Sequence, residues 1–166
     1  MQEGALKRED RRVQLAVFRA GAGEYAVDIM RITEIIRPQK LTLIPKAPDF
    51  IEGVINLRGS VVPVIDIRKR LGITHSGEET KSKILILLID GRKVGAVVDD
   101  VKEILYMDMG LIEDAPEIVK GSEAQFLQGI GKFGERLIMV LDPEKLLNPG
   151  ELAELDRART DPEIKG

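Results

Sequence analysis

Few side chains in this sequence have both the chemistry and the neighbours that catalysis needs. The only histidine, His75, lies in the polar stretch 74–82 among serine, threonine and carboxylate residues, whereas a general base needs a pocket and an orienting partner. Asp99 and Asp100 are adjacent, so in a strand their carboxylates point to opposite faces and do not share one metal ion or one proton. We therefore expect a solvated loop around His75 and turn or surface roles for the two aspartates.

Cofactor and nucleotide sites are equally hard to assemble. The glycines never form the GxxxxGK[ST] loop that cradles phosphates, and none stands between a predicted strand and a predicted helix as a dinucleotide site requires. The chain has no cysteine and therefore no thiolate ligand or nucleophile. These observations predict a protein without cofactor, without metal and without enzymatic activity.

Charge and composition narrow the classes of partner and the location. The 166 residues include 25 basic and 28 acidic side chains, with two tyrosines, four phenylalanines and no tryptophan. A net charge of −3 and so few aromatic rings disfavour nucleic-acid binding, which needs cationic surface and stacking platforms. The charged segment 1–12 is unlike a signal peptide, and no apolar run approaches the ~20 residues of a membrane span. We expect a cytoplasmic protein that reaches membranes only through a partner.

The alternation of apolar residues predicts two β-hairpins. Residues 13–17 and 25–29 alternate on either side of the glycine-rich turn 21–23, and the apolar segments 84–89 and 94–98 flank Asp90-Gly91. Period-two alternation is typical of strands, and an Asp-Gly pair between two apolar segments favours a two-residue hairpin turn.

The two halves of the chain repeat one another. The apolar pattern of one half recurs in the other, without a gap within each segment: 25–35 in 94–104, 50–54 in 126–130, and 61–66 in 137–142. Two copies are too few for a solenoid, which needs three or more. Small barrels would remove the exposed sheet edges of each copy. The sequence therefore predicts an all-β fold of two pseudo-symmetric, five-stranded, SH3-like β-barrels.

The predicted boundaries follow from the same duplication. The copies span about 12–73 and 83–147 within a domain of residues 12–150, joined by the polar connector 74–82. Each copy ends in a predicted short helical turn, at 68–71 and 143–147. The pattern of 151–158 predicts a short C-terminal amphipathic helix, and 1–11 and 159–166 are predicted to be flexible tails.

Several motifs taken together resemble the CheW family of chemotaxis coupling proteins. The likeness covers about residues 12–150, and its densest part is the tract from Gly53 to Asp66. The other matching segments are Tyr25-Ala-Val-Asp-Ile29, Ile32-Thr-Glu-Ile35, Ile44-Pro45 with Pro48, Gly95 to Val101, and Leu141-Asp142 with Leu146-Leu147.

The resemblance implies a fold, partners and contact residues. It implies two intertwined five-stranded barrels, with strands exchanged between them, in a non-enzymatic adaptor. The adaptor would join the cytoplasmic helical tip of chemoreceptors to the regulatory domain of the histidine kinase CheA in arrays at the membrane. By correspondence with the family's motifs, the expected partner contacts are Asn56, Arg58 and Gly59, with Gly53 before them, and Ile32 and Glu34.

A second set of candidates comes from the predicted strands. Ile32, Ile35, Val98 and Val101 would approach the junction of the two copies, where an apolar groove suits an amphipathic helix. The alternative is burial in the core, which is common for isoleucine and valine. Arg58 also has an alternative role, in which it caps local carbonyls or pairs with a carboxylate of its own chain. The competing functions are a small-barrel nucleic-acid-binding protein and a hydrolase that uses carboxylates.

Overall fold

The structure is a computed structural model that describes residues 12–73, 81–114 and 122–160. The expected tail 1–11, residues 161–166 of the expected tail 159–166, and most of the polar connector with His75 lie outside the described residues. Within them the chain is mostly β, as predicted. The strands are β1 Arg12–Ala20, β2 Gly23–Asp28, β3 Ile32–Ile36, β4 Ile51–Leu57, β5 Ser60–Asp66, β6 Lys83–Ile89, β7 Arg92–Val98, β8 Asp100–Asp108, β9 Ile112–Glu113, β10 Leu127–Phe133 and β11 Arg136–Leu141.

The helical segments are short. The α-helices are α1 Ile67–Leu71 and α2 Pro149–Thr160, and 3₁₀ turns span Ile29–Arg31, Met109–Leu111, Ser122–Phe126 and Pro143–Lys145. Helix α2 begins two residues before and ends two residues after the predicted helix 151–158. The first two residues of the expected tail 159–166 are therefore helical.

Both predicted hairpins are confirmed. Strands β1 and β2 pair from Leu15 opposite Asp28 to Ala20 opposite Gly23. Strands β6 and β7 pair up to Ile89 and Arg92, and the two turn residues between them have φ angles of 50° and 74°. Positive φ at both central positions defines the type I′ turn that an Asp-Gly pair favours.

Neither copy of the duplicated sequence forms a sheet alone. One sheet has the order β8-β1-β2-β11-β10-β9 and the other the order β3-β6-β7-β5-β4. Each sheet thus combines strands from both copies. The copies meet in one parallel pair in each sheet, β11 with β2 and β5 with β7, and in one antiparallel pair, β1 with β8 and β3 with β6. A sequence copy therefore does not correspond to one sheet, because each copy contributes strands to both sheets.

The edges of each sheet are brought together by one continuous segment. Strand β8 at one edge runs through the 3₁₀ turn Met109–Leu111 into β9, which pairs with β10 at the other edge. In the second sheet the chain leaving β3 returns at Thr42 to bridge Val54 of β4. Strands β8 and β9 therefore form one strand that the 3₁₀ turn interrupts. Counted in this way, the six strands of the first sheet become the predicted five.

Two glycines permit this approach. A Cβ atom on Gly53 would lie 2.4 Å from the carbonyl oxygen of Thr42, and one on Gly129 would lie 2.4 Å from that of Glu113. Such distances exclude any side chain unless the backbone moves. Gly53 and Gly129 are equivalent positions of the two copies, so the close approach is a duplicated feature.

Apolar side chains of the described residues form three clusters. One lies within each sheet, around Ile138 and Val140 in the first and around Val64 and Ile86 in the second. The third and most extensive cluster draws residues from both sheets and from α2. This shared core fixes the position of one barrel against the other.

Aspartates at equivalent positions begin the helical segment of each copy. Asp66 accepts a hydrogen bond from the backbone N–H of Arg68 at 2.8 Å, and Asp142 accepts one from that of Glu144 at 3.0 Å. Helix α2 begins with a reciprocal pair, in which Asn148 and Glu151 each accept from the backbone N–H of the other. Such caps satisfy N–H groups that have no partner within a helix.

Candidate functional site

Arg58 occupies the tip of the β4–β5 hairpin. Leu57 pairs with Ser60, which leaves Arg58 and Gly59 as the two turn residues, with φ angles of 51° and 87°. This is again a type I′ turn. The side-chain oxygen of Asn56 accepts a hydrogen bond from the backbone N–H of Gly59 at 2.9 Å, so three of the predicted contact residues build one turn.

An arginine in this backbone conformation is unfavourable. Left-handed φ costs a residue with a side chain about 1 kcal/mol relative to glycine. Asp90 and Gly134 hold left-handed positions in other hairpins, and aspartate and glycine are residues that tolerate them. Gly134 stands in the place of Arg58 in the second copy. The backbone cost at Arg58 therefore points to a role for its side chain.

The side chain of Arg58 contacts a second predicted residue. Its Nη2 donates to Oε1 of Glu34 on β3 at 2.6 Å. The alternative of pairing within the chain is thus realised, yet 67% of the Arg58 side chain stays exposed against 28% for Glu34. An exposed ion pair contributes little stability. Arg58 therefore presents most of a guanidinium group to solvent while Glu34 orients it.

The other predicted contact residues divide by exposure. Ile35 is exposed beside Glu34 on β3, whereas Ile32 and Val101 are half-buried against the shared core. Val98 has 0% exposure, so it has no surface for a partner, and the alternative of core burial holds for it. Gly53 is buried where the second sheet closes. The structure thus brings together Glu34, Asn56, Arg58 and Gly59, whereas Ile35 lies on the opposite face of β3.

Asp99 does not have the surface role that was one of the two roles considered for it. It is 6% exposed, in the bend between β7 and β8. It accepts a hydrogen bond from the backbone N–H of Gly21 at 2.7 Å and lies 3.0 Å from Nη1 of Arg68. Its carboxylate has the structural turn role, but as a buried ion pair, which needs such partners.

A second arginine cluster lies on the first sheet and was not singled out by the sequence. Arg136 donates to Glu24 at 2.9 and 3.0 Å and lies 3.3 Å from Glu103, the equivalent of Glu34. The hydrogen bond to Glu24 raises the pKa of Arg136 further above its ordinary value. The same bond lowers the pKa of the Glu24 carboxyl. In the second copy the arginine of the corresponding cluster thus lies at the start of β11, and not at the tip of the turn.

The described residues form grooves on the surface. One groove of about 550 Å³ lies between the segment Ile44–Pro48 and the residues Leu155 and Ala158 of α2. Another, of about 360 Å³, is lined by residues of β1, the 3₁₀ turn Ile29–Arg31 and β8, among them the exposed Met30 and Tyr106. This second groove adjoins the start of β3, where Ile32 lies.

The described residues form neither a cluster of metal ligands nor a membrane-spanning helix. Among residues 12–73, 81–114 and 122–160, no three histidine, cysteine, aspartate or glutamate side chains group as a metal site would require. Over the same part of the chain, no helix is long and apolar enough to cross a bilayer.

Comparison with known proteins gives a consistent result. The CheW-like domain family matches residues 14–151. The chain is 36% identical to the chemotaxis protein CheW of Klebsiella aerogenes over 143 residues, 86% of each protein. It is 31% identical to that of Treponema pallidum over 150 residues, 88% of each. The crystal structure of the scaffolding protein TtCheW from Thermoanaerobacter tengcongensis matches with a TM-score of 0.77 at 36% identity, covering 82% of this chain and 88% of that one.

The family match spans most of the chain, and the relatives and the solved structure are similar over nearly their whole lengths. The chain therefore belongs to the CheW-like domain family.

Proposed function

We propose that this protein is a non-enzymatic adaptor in chemotaxis signalling. In this proposal it couples the cytoplasmic helical tips of chemoreceptors to the regulatory domain of the kinase CheA and helps to build the receptor array beneath the membrane. The relatives are named as chemotaxis proteins and the similar structure as a scaffolding protein. The observation that carries the proposal is the exposed guanidinium of Arg58 on a turn whose backbone favours glycine.

The chemistry of that turn suits a protein partner. A guanidinium has five N–H donors in a planar fork that fits a carboxylate or a pair of carbonyl oxygens. Glu34 holds one end of the fork and leaves the remainder towards solvent. Ile35, the next residue of β3, is exposed and points to the opposite face of the strand. Arginine is one of the residues enriched among the strongest contacts of protein interfaces.

The groove at the β2–β3 connection suits a helical partner. Met30 and Tyr106 are both exposed there, and a thioether and an aromatic ring are adaptable apolar contacts for a helix. The groove lies before Ile32 at the start of β3, and the Arg58 turn lies beside Glu34 in the middle of the strand. One strand thus borders two surfaces, as an adaptor with two partners requires.

The nucleic-acid-binding alternative has less support. The net charge of −3 provides no general attraction to phosphates, and Arg31, Arg58, Arg70 and Arg136 all contact carboxylates of their own chain.

Co-sedimentation tests the proposal. The protein is mixed with receptor-containing membranes and, separately, with immobilised CheA, and the bound fraction is measured. We expect both to retain it, and Arg58→Ala to reduce retention by at least one of them. Lys93→Ala, which removes an exposed cation from β7, is the matched control and should behave as the wild type. Wild-type protein that binds neither partner would contradict the proposal.

A further inference from the structure

Buried at one end of the first sheet is a three-part junction. It joins the β1–β2 turn, the bend between β7 and β8, and helix α1. Asp99 in the bend accepts the backbone N–H of Gly21 in the turn at 2.7 Å and pairs with Arg68 of α1 at 3.0 Å. The side chains of Arg68 and Asp99 are 12% and 8% exposed, so the junction is largely closed to water.

A corresponding junction lies in the second sheet with the charges exchanged. Here Glu144, in the 3₁₀ turn Pro143–Lys145, accepts the backbone N–H of Asp90 in the β6–β7 turn at 3.0 and 3.1 Å. Its carboxylate pairs with the guanidinium of Arg31, at the end of the β2–β3 connection. The carboxylate now comes from the helical turn, and the arginine comes from the connection between strands.

The duplication makes the two junctions equivalent. In the sequence alignment that matches Tyr25 with Val94, Gly21 matches Asp90. The same alignment matches Met30, in the β2–β3 connection, with Asp99. Aligning Asp66 with Asp142 places Arg68 opposite Glu144. In both junctions a hairpin-turn N–H binds a carboxylate, and an arginine from the remaining element neutralises that carboxylate. The arrangement is thus duplicated although the residues are not.

The two junctions differ in their exposure to solvent and in the backbone groups that they bind. Arg31 and Glu144 are 30% and 45% exposed, so this junction is open to solvent, unlike its buried counterpart. Arg31 also donates to the carbonyl oxygen of Leu88 at 2.9 Å. Arg31 directly precedes Ile32, the first residue of β3, and follows the exposed Met30. Its two contacts therefore fix the backbone at the start of the strand that carries Ile32, Glu34 and Ile35.

We infer that Arg31 and Glu144 are positioning residues for the partner-binding strand β3. Neither needs to touch a partner for this role. They orient the β2–β3 connection and the start of β3 against the β6–β7 turn, so that Met30, Ile32 and Glu34 are presented in one arrangement. This inference rests on the proposed function for its effect on binding, whereas the positioning itself is measured independently of any partner.

Charge reversal and a double exchange test the inference. Glu144→Arg places two guanidinium groups together and removes the acceptor of the Asp90 N–H. We expect faster amide hydrogen exchange across residues 32–36 and binding to receptor membranes or CheA about fivefold weaker. The double variant Arg31→Glu/Glu144→Arg places the carboxylate in the strand connection and the arginine in the helical turn, as in the Asp99–Arg68 junction. A carboxylate at position 31 can then accept the Asp90 N–H as Asp99 accepts that of Gly21. Slow exchange and binding should both return in part, because a glutamate at position 31 cannot donate to the carbonyl oxygen of Leu88.

The control is Asp156→Arg, which reverses one end of the Arg92–Asp156 ion pair. That pair joins the same hairpin to α2 without touching β3, so both measurements should stay unchanged. The inference is overturned if Glu144→Arg leaves the exchange of residues 32–36 at the wild-type rate. It is also overturned if the folded double variant restores neither exchange nor binding. If the wild type binds neither partner, the proposed function fails, and the exchange rates alone decide the positioning role.

Discussion

The Nε–H of Arg70 donates to the carbonyl oxygen of Leu146 at 2.7 Å, and Leu146 is the residue that stands in the place of Arg70 in the second copy. The guanidinium of Arg70 also lies between two equivalent rings, 4.2 Å from the centroid of Phe50 and 4.9 Å from that of Phe126. Its Nη atoms bind both carboxylate oxygens of Glu151 on α2. A single arginine therefore joins both copies and the C-terminal helix at their pseudo-symmetric centre.

Replacing Arg70 should destabilise the fold strongly. Arg70→Met keeps an apolar chain between the rings but leaves the largely buried carboxylate of Glu151 without its bidentate partner, for a loss of about 2–3 kcal/mol in unfolding free energy. Arg70→Lys should recover part of this loss, because an ammonium retains the charge but not the fork. Urea denaturation followed by circular dichroism measures both. A loss below about 0.5 kcal/mol, the size expected of an ordinary surface substitution, would show that Arg70 does not have this role.

Arg58→Gly should increase stability and reduce binding together. Glycine adopts the left-handed turn without strain, as Gly134 does in the second copy, so we expect a gain of about 0.5–1 kcal/mol in unfolding free energy. The partner contact is lost with the guanidinium. Thermal unfolding and a binding titration on the same sample measure the two effects. Gly134→Ala is the reciprocal control and should only destabilise. Unchanged binding of Arg58→Gly to both partners would remove Arg58 from the contact surface.

Adding a methyl group at the closing glycines should disrupt each barrel. Gly129→Ala and Gly53→Ala each place a Cβ atom 2.4 Å from a backbone carbonyl oxygen, which forces strands apart and should cost more than about 2 kcal/mol. Gly91→Ala is the matched control, because a Cβ atom there meets nothing within 4 Å and only its φ of 74° costs about 1 kcal/mol. Equal losses of unfolding free energy in Gly91→Ala and Gly129→Ala would contradict the close approach.

Glu24 should contribute to the dependence of stability on pH. The hydrogen bond from Arg136 lowers the pKa of its carboxyl below the ordinary value of 4.5. A carboxyl with a lowered native pKa stabilises the fold above the unfolded-state pKa, and that contribution is lost as the pH falls through the native one. Glu24→Gln should therefore cost about 0.5 kcal/mol at pH 7, as expected of a partly exposed pair. The difference from wild type should vanish below the lowered pKa. Unfolding curves from pH 7 to pH 3 measure it, and a difference that grows towards acid pH would contradict the assignment.

Local patterns in the sequence predicted the two hairpins well. Asp90-Gly91 and the strands beside it follow rules that depend only on neighbouring residues. The residues of the Arg58 turn came instead from the resemblance to a known family, and in the second copy Gly134 takes the place of the arginine. Asn56, Arg58, Gly59 and Glu34 then come together in space, although their roles in binding stay a prediction.

Features that depend on contacts between distant segments were not predictable in the same way. The alternation that places Val98 on a strand does not say which sheet covers it, and the structure buries it between both sheets. The ion pair of Asp99 with Arg68 requires two elements, the bend between β7 and β8 and helix α1, that lie in different copies of the sequence. The same holds for Arg70, whose partners Phe126, Leu146 and Glu151 all lie in the second half of the chain.

Kinase output tests most directly whether the protein couples receptor to kinase. Receptor-containing membranes and CheA are reconstituted with wild-type protein, with Arg58→Gly and with no addition, and autophosphorylation of CheA is measured. We predict strong stimulation by the wild type, reduced stimulation by Arg58→Gly despite its greater stability, and basal activity without the protein. Phosphorylation that is the same with and without folded wild-type protein would contradict the account.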